Sequence, residues 1–245
     1  MAAPRFYSSL PLAHGEAGST IELPEAIAHH AVRVVRLAVG DALTLFDGSG
    51  GELPATLVRA DKRGAAVRVE GLVPVERESP LALTLALAIA ANDAMDSAVR
   101  RATELGVTAI QPLVTARSAP LPSGERGDRR HAHWQAVAVA ACEQCGRNRV
   151  PGVARPAPFA EWLAAWRGSG ILFLPEGAQP LAAIAQPPAP LALLIGPEGG
   201  FDAREAAAAR AGGFHAVRLG PRVLRVETAA AAGLAVLQSQ WGDWQ

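Results

Sequence analysis

The sequence predicts an α/β protein with a mostly parallel sheet in its larger C-terminal part and a smaller β-rich domain before it. Three observations predict this. From residue 81 onward, short apolar runs alternate with helical stretches, the rhythm of a parallel sheet covered by helices. Two of those runs, Ile171–Leu174 and Leu191–Ile195, are apolar throughout, as strands covered on both faces are. Before residue 75 the elements are short and punctuated by glycine-rich turns, which resembles a small β-barrel with one helix. Half of the 245 residues are apolar and 19% are charged, a composition that builds a substantial core and excludes disorder.

In order along the chain, residues 1–7 lack the basic-then-apolar layout of a signal peptide. No apolar run approaches the roughly 20 residues a membrane-spanning helix needs, so a soluble, cytoplasmic protein without a membrane partner is expected. Pro24 suits a first helical turn, and a helix from there to about Leu37 stops before Gly40-Asp41. Strands are expected at Ala42–Phe46, Glu52–Ala60 and Ala65–Val73, separated by Asp47-Gly-Ser-Gly-Gly51 and Asp61-Lys-Arg-Gly64. The segment Val73–Pro80, with two prolines and three charges, carries the boundary between domains 1–75 and 76–245. Leu81–Ala90 then reads as a buried strand, Asp93 begins a helix ended by Gly106, and Val107–Ile110 is a strand. A helix follows at about His131–Cys145. Asp202 and Glu205 form a capping pair for a helix reaching Gly212-Gly213, Ala216–Leu219 is a strand, and Thr228–Gln240 is the last helix. Residues 120–130 and 175–190, rich in Pro, Gly and Ser, read as loops.

Net charge is zero, 23 basic against 23 acidic residues, so no uniform field announces a nucleic-acid or membrane partner and any such partner is read locally. Residues 100–167 hold ten basic and five acidic side chains, among them Arg126, Arg129, Arg130, Arg147 and Arg149; clusters of this kind suit phosphate contacts. His29, Arg33 and Arg36 fall on one helical stripe, for which a solvated face is the simpler reading. Cys142 and Cys145 have no second pair to complete a structural zinc site, so buried small side chains are expected there and no metal.

The most informative segments are Leu193-Leu-Ile-Gly-Pro-Glu-Gly-Gly-Phe201 and Leu219-Gly-Pro-Arg-Val-Leu-Arg-Val-Glu-Thr-Ala229. Each runs from an apolar strand through a glycine-containing turn toward a helix start. Ligands of open α/β sheets sit beyond the carboxyl ends of the strands, and glycines there admit close backbone approach. Neither turn is G-x-G-x-x-G, and the carboxylate of Glu198 would repel a pyrophosphate, which points to a cationic ligand or a neutral adenosine.

Together with Arg5-Phe6-Tyr7, His30-Ala-Val-Arg-Val-Val-Arg-Leu37, Ala102-Thr-Glu-Leu-Gly-Val107 and Glu143-Gln-Cys-Gly-Arg-Asn-Arg-Val-Pro151, these segments resemble the RsmE family. That family comprises 16S ribosomal RNA uridine-N3 methyltransferases of the SPOUT class. The resemblance implies an N-terminal PUA-like barrel for RNA, a C-terminal α/β domain with a deep trefoil knot, and a homodimer acting on the small ribosomal subunit. It further implies S-adenosylmethionine held in the knot by loops matching Gly196, Gly199 and Gly200, and Leu219 to Arg225 including Gly220, with a third loop near Leu174-Pro-Glu176. Ile195, Leu219 and Leu224 then supply apolar walls. Arg225, with Arg222 second, is the candidate for stabilising the charge left on a deprotonated uracil; arginine cannot itself be the base. Glu198, a water, or loss to solvent remain open as the proton's destination, and Glu227 is expected to complement a helix dipole. Arg5, Arg33, Arg36, Arg147 and Arg149 are the candidate RNA contacts. One departure is Ala91-Asn-Asp-Ala94, where the family commonly carries Lys-Gly-Asp-Arg. Methylation of another nucleotide or of a ribose 2′ oxygen, and a non-catalytic RNA-binding role, are the alternatives.

Overall fold

The structure, a computed structural model, describes residues 3–9, 11–12, 16–120, 124–175 and 179–244. It divides into two compact units, Met1–Glu78 with Cys142–Val150, and Ser79–Ala141 with Pro151–Gln245. The division falls at Glu78, a few residues past the boundary expected at 75, and the chain's return to the first unit at Cys142–Val150 has no counterpart in the linear reading.

The first unit comprises β1 (Arg5–Tyr7), β2 (Thr20–Glu22), α1 (Glu25–His29), β3 (Ala42–Phe46), β4 (Leu53–Asp61) and β5 (Gly64–Val69). The sheet runs β1-β3-β4-β5-β2, with β1 and β3 parallel and the remaining pairs antiparallel. Alternation along β4 turns Leu53, Ala55 and Leu57 inward, where they meet Phe6, Leu43, Leu45 and Val67. The two expected turns do join β3 to β4 and β4 to β5. The three-residue strands β1 and β2 are too short to show a period. The expected helix to Leu37 is corrected: α1 passes into a π-helical turn at His30–Val34, where the Val35 amide donates to the His30 carbonyl at 2.9 Å. Arg36 then adopts a left-handed φ of 64°, uncommon outside glycine. The wider π turn rotates the succeeding residues away from the 3.6-residue period, so His29, Arg33 and Arg36 do not form one helical stripe.

The second unit holds β6 (Leu83–Ala88), α2 (Asn92–Glu104), β7 (Ala109–Val114), α3 (Gly124–Cys145, its last turn in the first unit), β8 (Gly152–Val153), β9 (Ala157–Pro158) and α4 (Phe159–Ala165). It continues with β10 (Ser169–Phe173), β11 (Gln179–Pro180), β12 (Leu191–Ile195), α5 (Ala203–Ala211), β13 (Phe214–Arg218) and α6 (Val226–Trp241). The strands pair in the order β11-β13-β10-β12-β6-β7-β8, with β9 also on β7, and every pairing is parallel. All five residues of β12 are buried, as the uninterrupted apolar run predicts for a central parallel strand. Gly106, at φ +79°, follows the end of α2 as the C′ residue. The capping box of α5 forms: Asp202 Oδ1 accepts the Glu205 amide at 2.7 Å and Glu205 Oε2 accepts the Asp202 amide at 3.0 Å. Among the described residues, no helix is long and apolar enough to cross a membrane.

Strand order positions the site. Because β13, β10 and β12 are parallel neighbours, the loops leaving their carboxyl ends emerge side by side on one sheet edge. On the other side of β12, β6 and β7 send their own loops out of that edge.

Candidate active site

The turn after β12 is tied down. Ile195 and Pro197 are buried, while Glu198 and Gly199 are exposed. The turn closes on itself through the Gly200 amide, which donates to the Pro197 carbonyl at 2.8 Å. Gly200 has φ +67°, and a Cβ placed there would meet open space. Two consecutive residues reach sideways. Glu198 Oε1 accepts the backbone amide of Ala91, the N-cap of α2, at 3.2 Å. The Gly199 carbonyl accepts Arg117 Nη1 at 2.8 Å. The Arg117 stem crosses Gly199 so closely that a Cβ on that glycine would lie 3.3 Å from Arg117 Cδ. Next to it, the Ala116 amide donates to Glu205 Oε1 at 2.7 Å, which ties the loop after β7 to the start of α5. Sequence reasoning missed Arg117: one arginine in a loop carries no period or spacing to mark it.

The turn after β13 is the opposite case. Leu219 and Leu224 are half-buried, Gly220 has φ +72° with open space at its Cβ position, and Val223 is 83% exposed. Arg222 and Arg225 are exposed and, among the described residues, neither has a hydrogen bond or an ion pair. Among the described residues, Arg225 forms no ion pair with Glu227, two positions on. Arg225 occupies the N-cap of α6, and a cation there sits at the positive end of the helix dipole. Among the described residues, no carboxylate pairs with it to offset that placement. Glu227, in the first turn of α6, has the sign the dipole favours.

The third loop begins at Leu174, half-buried, whose amide donates to the Val217 carbonyl at 2.9 Å and so starts beside β13. Glu176 lies outside the described residues. The edge thus gathers three adjacent loops, apolar surface from Leu174, Leu219 and Leu224 with Ile195 buried behind it, two glycines with open space above them, backbone donors and acceptors, and the guanidinium groups of Arg222 and Arg225, which have no partner among the described residues.

The expected RNA contacts divide. Arg33 and Arg36 are exposed. Arg149 is exposed but paired with Glu76 at 2.7 Å. Arg5 and Arg147 are corrected to structural roles in the first unit. Arg147 is buried, with Nε donating to Glu78 Oε1 at 3.0 Å and Nη2 bonding the other carboxylate oxygen. Arg5 Nη1 meets Glu52 Oε2 at 2.6 Å, with 12% of its side chain exposed. Asn148 Nδ2 donates to the Val75 carbonyl at 2.8 Å and Glu143 Oε1 accepts the Tyr7 amide at 2.9 Å. The Glu143–Arg149 motif is therefore a strap that fastens β1 and residues 75–78 of the first unit. Glu52, Glu76 and Glu78 already occupy three of the five guanidinium groups expected to meet phosphate. Burial pushes the Cys142 thiol up to about 12, so it stays protonated at neutral pH as a small apolar side chain.

A family model described as an RNA methyltransferase domain matches residues 77–238, and one described as an RNA methyltransferase PUA domain matches residues 23–70. The chain is 35% identical to a ribosomal RNA small subunit methyltransferase E from Synechocystis sp., over 90% of this chain and 73% of that one. It is 35% identical to the protein of that name from Mycobacterium bovis, over 86% and 84%. Among solved structures it is similar to ribosomal RNA small subunit methyltransferase E from Neisseria gonorrhoeae bound to S-adenosyl methionine, with TM-score 0.91, 36% identity and full coverage of both chains. A putative methyltransferase from Legionella pneumophila, in complex with the same cofactor, gives TM-score 0.93 and 35% identity over 99% of this chain and 100% of that one.

Proposed function

The chain belongs to the RNA methyltransferase family that includes the ribosomal RNA small subunit methyltransferases E, and from that premise we propose that it transfers a methyl group from S-adenosylmethionine to N3 of a uridine in 16S ribosomal RNA. The observation that carries the reading is the pairing of two glycine turns on strand ends separated by β10 alone with an Arg225 at the second that has no partner among the described residues. The edge fits the cofactor on its own chemistry. Backbone groups of Gly196, Gly199, Gly200 and Gly220 suit an adenosine's polar rim, Leu174, Leu219 and Leu224, backed by the buried Ile195, suit its faces, and the open space at Gly200 and Gly220 leaves room that a side chain would fill.

When bound, S-adenosylmethionine supplies an electrophilic methyl group on a sulfonium. The chain's own residues do the rest. The turns fix the cofactor's place, so that an incoming base meets it in line. Arg225 directs its guanidinium at the uracil carbonyl oxygens, where the charge of the N3 anion accumulates, and stabilises the ionised ring. The N3 proton passes to the Glu198 carboxylate or to water. Arg33 and Arg36 of the first unit are the remaining candidates for RNA phosphates.

The knot, the homodimer and the cytoplasmic setting belong to the same proposal. In support of the knot, α6 follows β13, which is separated from β12 by β10, yet packs back against β12 and α2. The test is incubation of purified protein with methyl-labelled cofactor and small subunits, followed by nucleoside mass spectrometry. Label in N3-methyluridine is expected; label on a ribose oxygen or another base would replace the reading with the corresponding SPOUT activity.

A further inference from the structure

Resting on that reading, we propose that Arg117 is a positioning residue for the methyl donor: it holds the Gly199 peptide, and through it the Gly-Pro-Glu-Gly-Gly turn, in the shape that accepts the cofactor. The turn after β12 carries three glycines and would otherwise have many backbone states to lose on binding. Its internal bond, Gly200 to Pro197, fixes its curvature but not its direction relative to the sheet. Direction comes from two lateral ties formed by consecutive residues. Glu198 is tied to the Ala91 amide after β6, and the Gly199 carbonyl to the Arg117 guanidinium after β7.

The second tie is the more specific. A charged donor on a carbonyl is stronger than a neutral one, and the Arg117 stem lies so near Gly199 that a Cβ there would sit 3.3 Å from Arg117 Cδ and press on the stem. The base of Arg117 is held in turn, since the neighbouring Ala116 amide is fixed by Glu205 and the Thr115 amide and carbonyl both bond the Ser118 hydroxyl. A charged side chain on a fixed loop therefore orients a glycine peptide that would otherwise rotate. Arg117 itself is exposed and fills no core position, so replacing it does not threaten the fold.

The test compares wild type, Arg117→Ala and Arg117→Lys. Four quantities are read: melting temperature, amide exchange across residues 197–201 without ligand, calorimetric affinity for S-adenosylmethionine, and turnover as a function of cofactor and RNA concentration. In Arg117→Ala the melting temperature stays within a degree or two, exchange at Gly200 accelerates several-fold, and cofactor affinity falls roughly tenfold, the scale of one lost charge-assisted hydrogen bond at an exposed site. Arg117→Lys, which keeps one charged donor, recovers part of both. Saturating cofactor returns turnover of Arg117→Ala to near the wild-type value, so the defect lies in KM for the cofactor. Unchanged exchange and affinity in Arg117→Ala would overturn the proposal, as would a rise in KM for RNA with cofactor affinity intact. If the wild type itself fails to bind the cofactor, the functional reading falls first; accelerated exchange at Gly200 in the variant would then still show the tie while removing its purpose.

Discussion

The two glycine turns leave the same sheet edge, separated by β10 alone, and are built in opposite ways. The turn after β12 is braced from both sides, by Ala91 through Glu198 and by Arg117 through Gly199, and leads into a helix with a complete capping box. The turn after β13 has two exposed arginines and a largely exposed valine without side-chain partners among the described residues, and leads into a helix whose N-cap provides no side-chain bond. The contrast separates two jobs. A ligand that must always be seated the same way calls for a surface whose shape is settled beforehand. A group that must meet a developing charge calls for a guanidinium not already neutralised by a carboxylate.

This division can be broken in four places. The largest effect is expected from Arg225→Ala: at saturating cofactor, turnover falls by about a hundredfold or more, the scale of removing one anion-stabilising donor, while calorimetric cofactor affinity changes less than threefold. Equal losses in both would make Arg225 a binding residue and erase the distinction. Next, Glu198→Ala releases one brace and weakens cofactor binding roughly tenfold, whereas Glu198→Gln keeps an oxygen for the Ala91 amide and retains affinity. If turnover of Glu198→Gln also survives from pH 6 to 9, the N3 proton leaves to water; if it drops at unchanged affinity, the carboxylate takes it.

Third, Gly200→Ala places a side chain in open space but at φ +67°, so the cost is backbone strain of about 1–2 kcal/mol, read as a lower melting temperature because the braced turn cannot relax. Smallest is Gly220→Ala at φ +72°. The unbraced turn relaxes, the melting temperature moves by about a degree, and cofactor affinity registers the change instead. A Gly220→Ala variant as destabilised as Gly200→Ala would mean that both turns are equally rigid.

The second unit was largely legible in the sequence because its signals are local. The uninterrupted apolar run of β12 announces a strand buried on both faces, Asp202 and Glu205 announce a helix start, and Gly106 announces a helix end. The two turns stand out because glycine, proline and charge follow apolar strands twice. What was illegible depends on partners far away in sequence. Arg147 looked like a phosphate contact because it lies in a basic stretch, yet its partner Glu78 is 69 residues away. Arg117 looked like any surface arginine until strand order placed β7 two positions from β12. The stripe of Arg33 and Arg36 failed for another reason: a π turn changes the period on which the stripe was counted.

The central proposal is that the edge between these turns methylates uridine N3 in small-subunit ribosomal RNA. The most direct measurement is nucleoside mass spectrometry of that RNA from a deletion strain carrying no plasmid, the wild-type gene, or the Arg225→Ala gene. The expected result is N3-methyluridine absent in the deletion, restored by the wild type and not restored by Arg225→Ala. N3-methyluridine undiminished in the deletion strain would contradict the assignment.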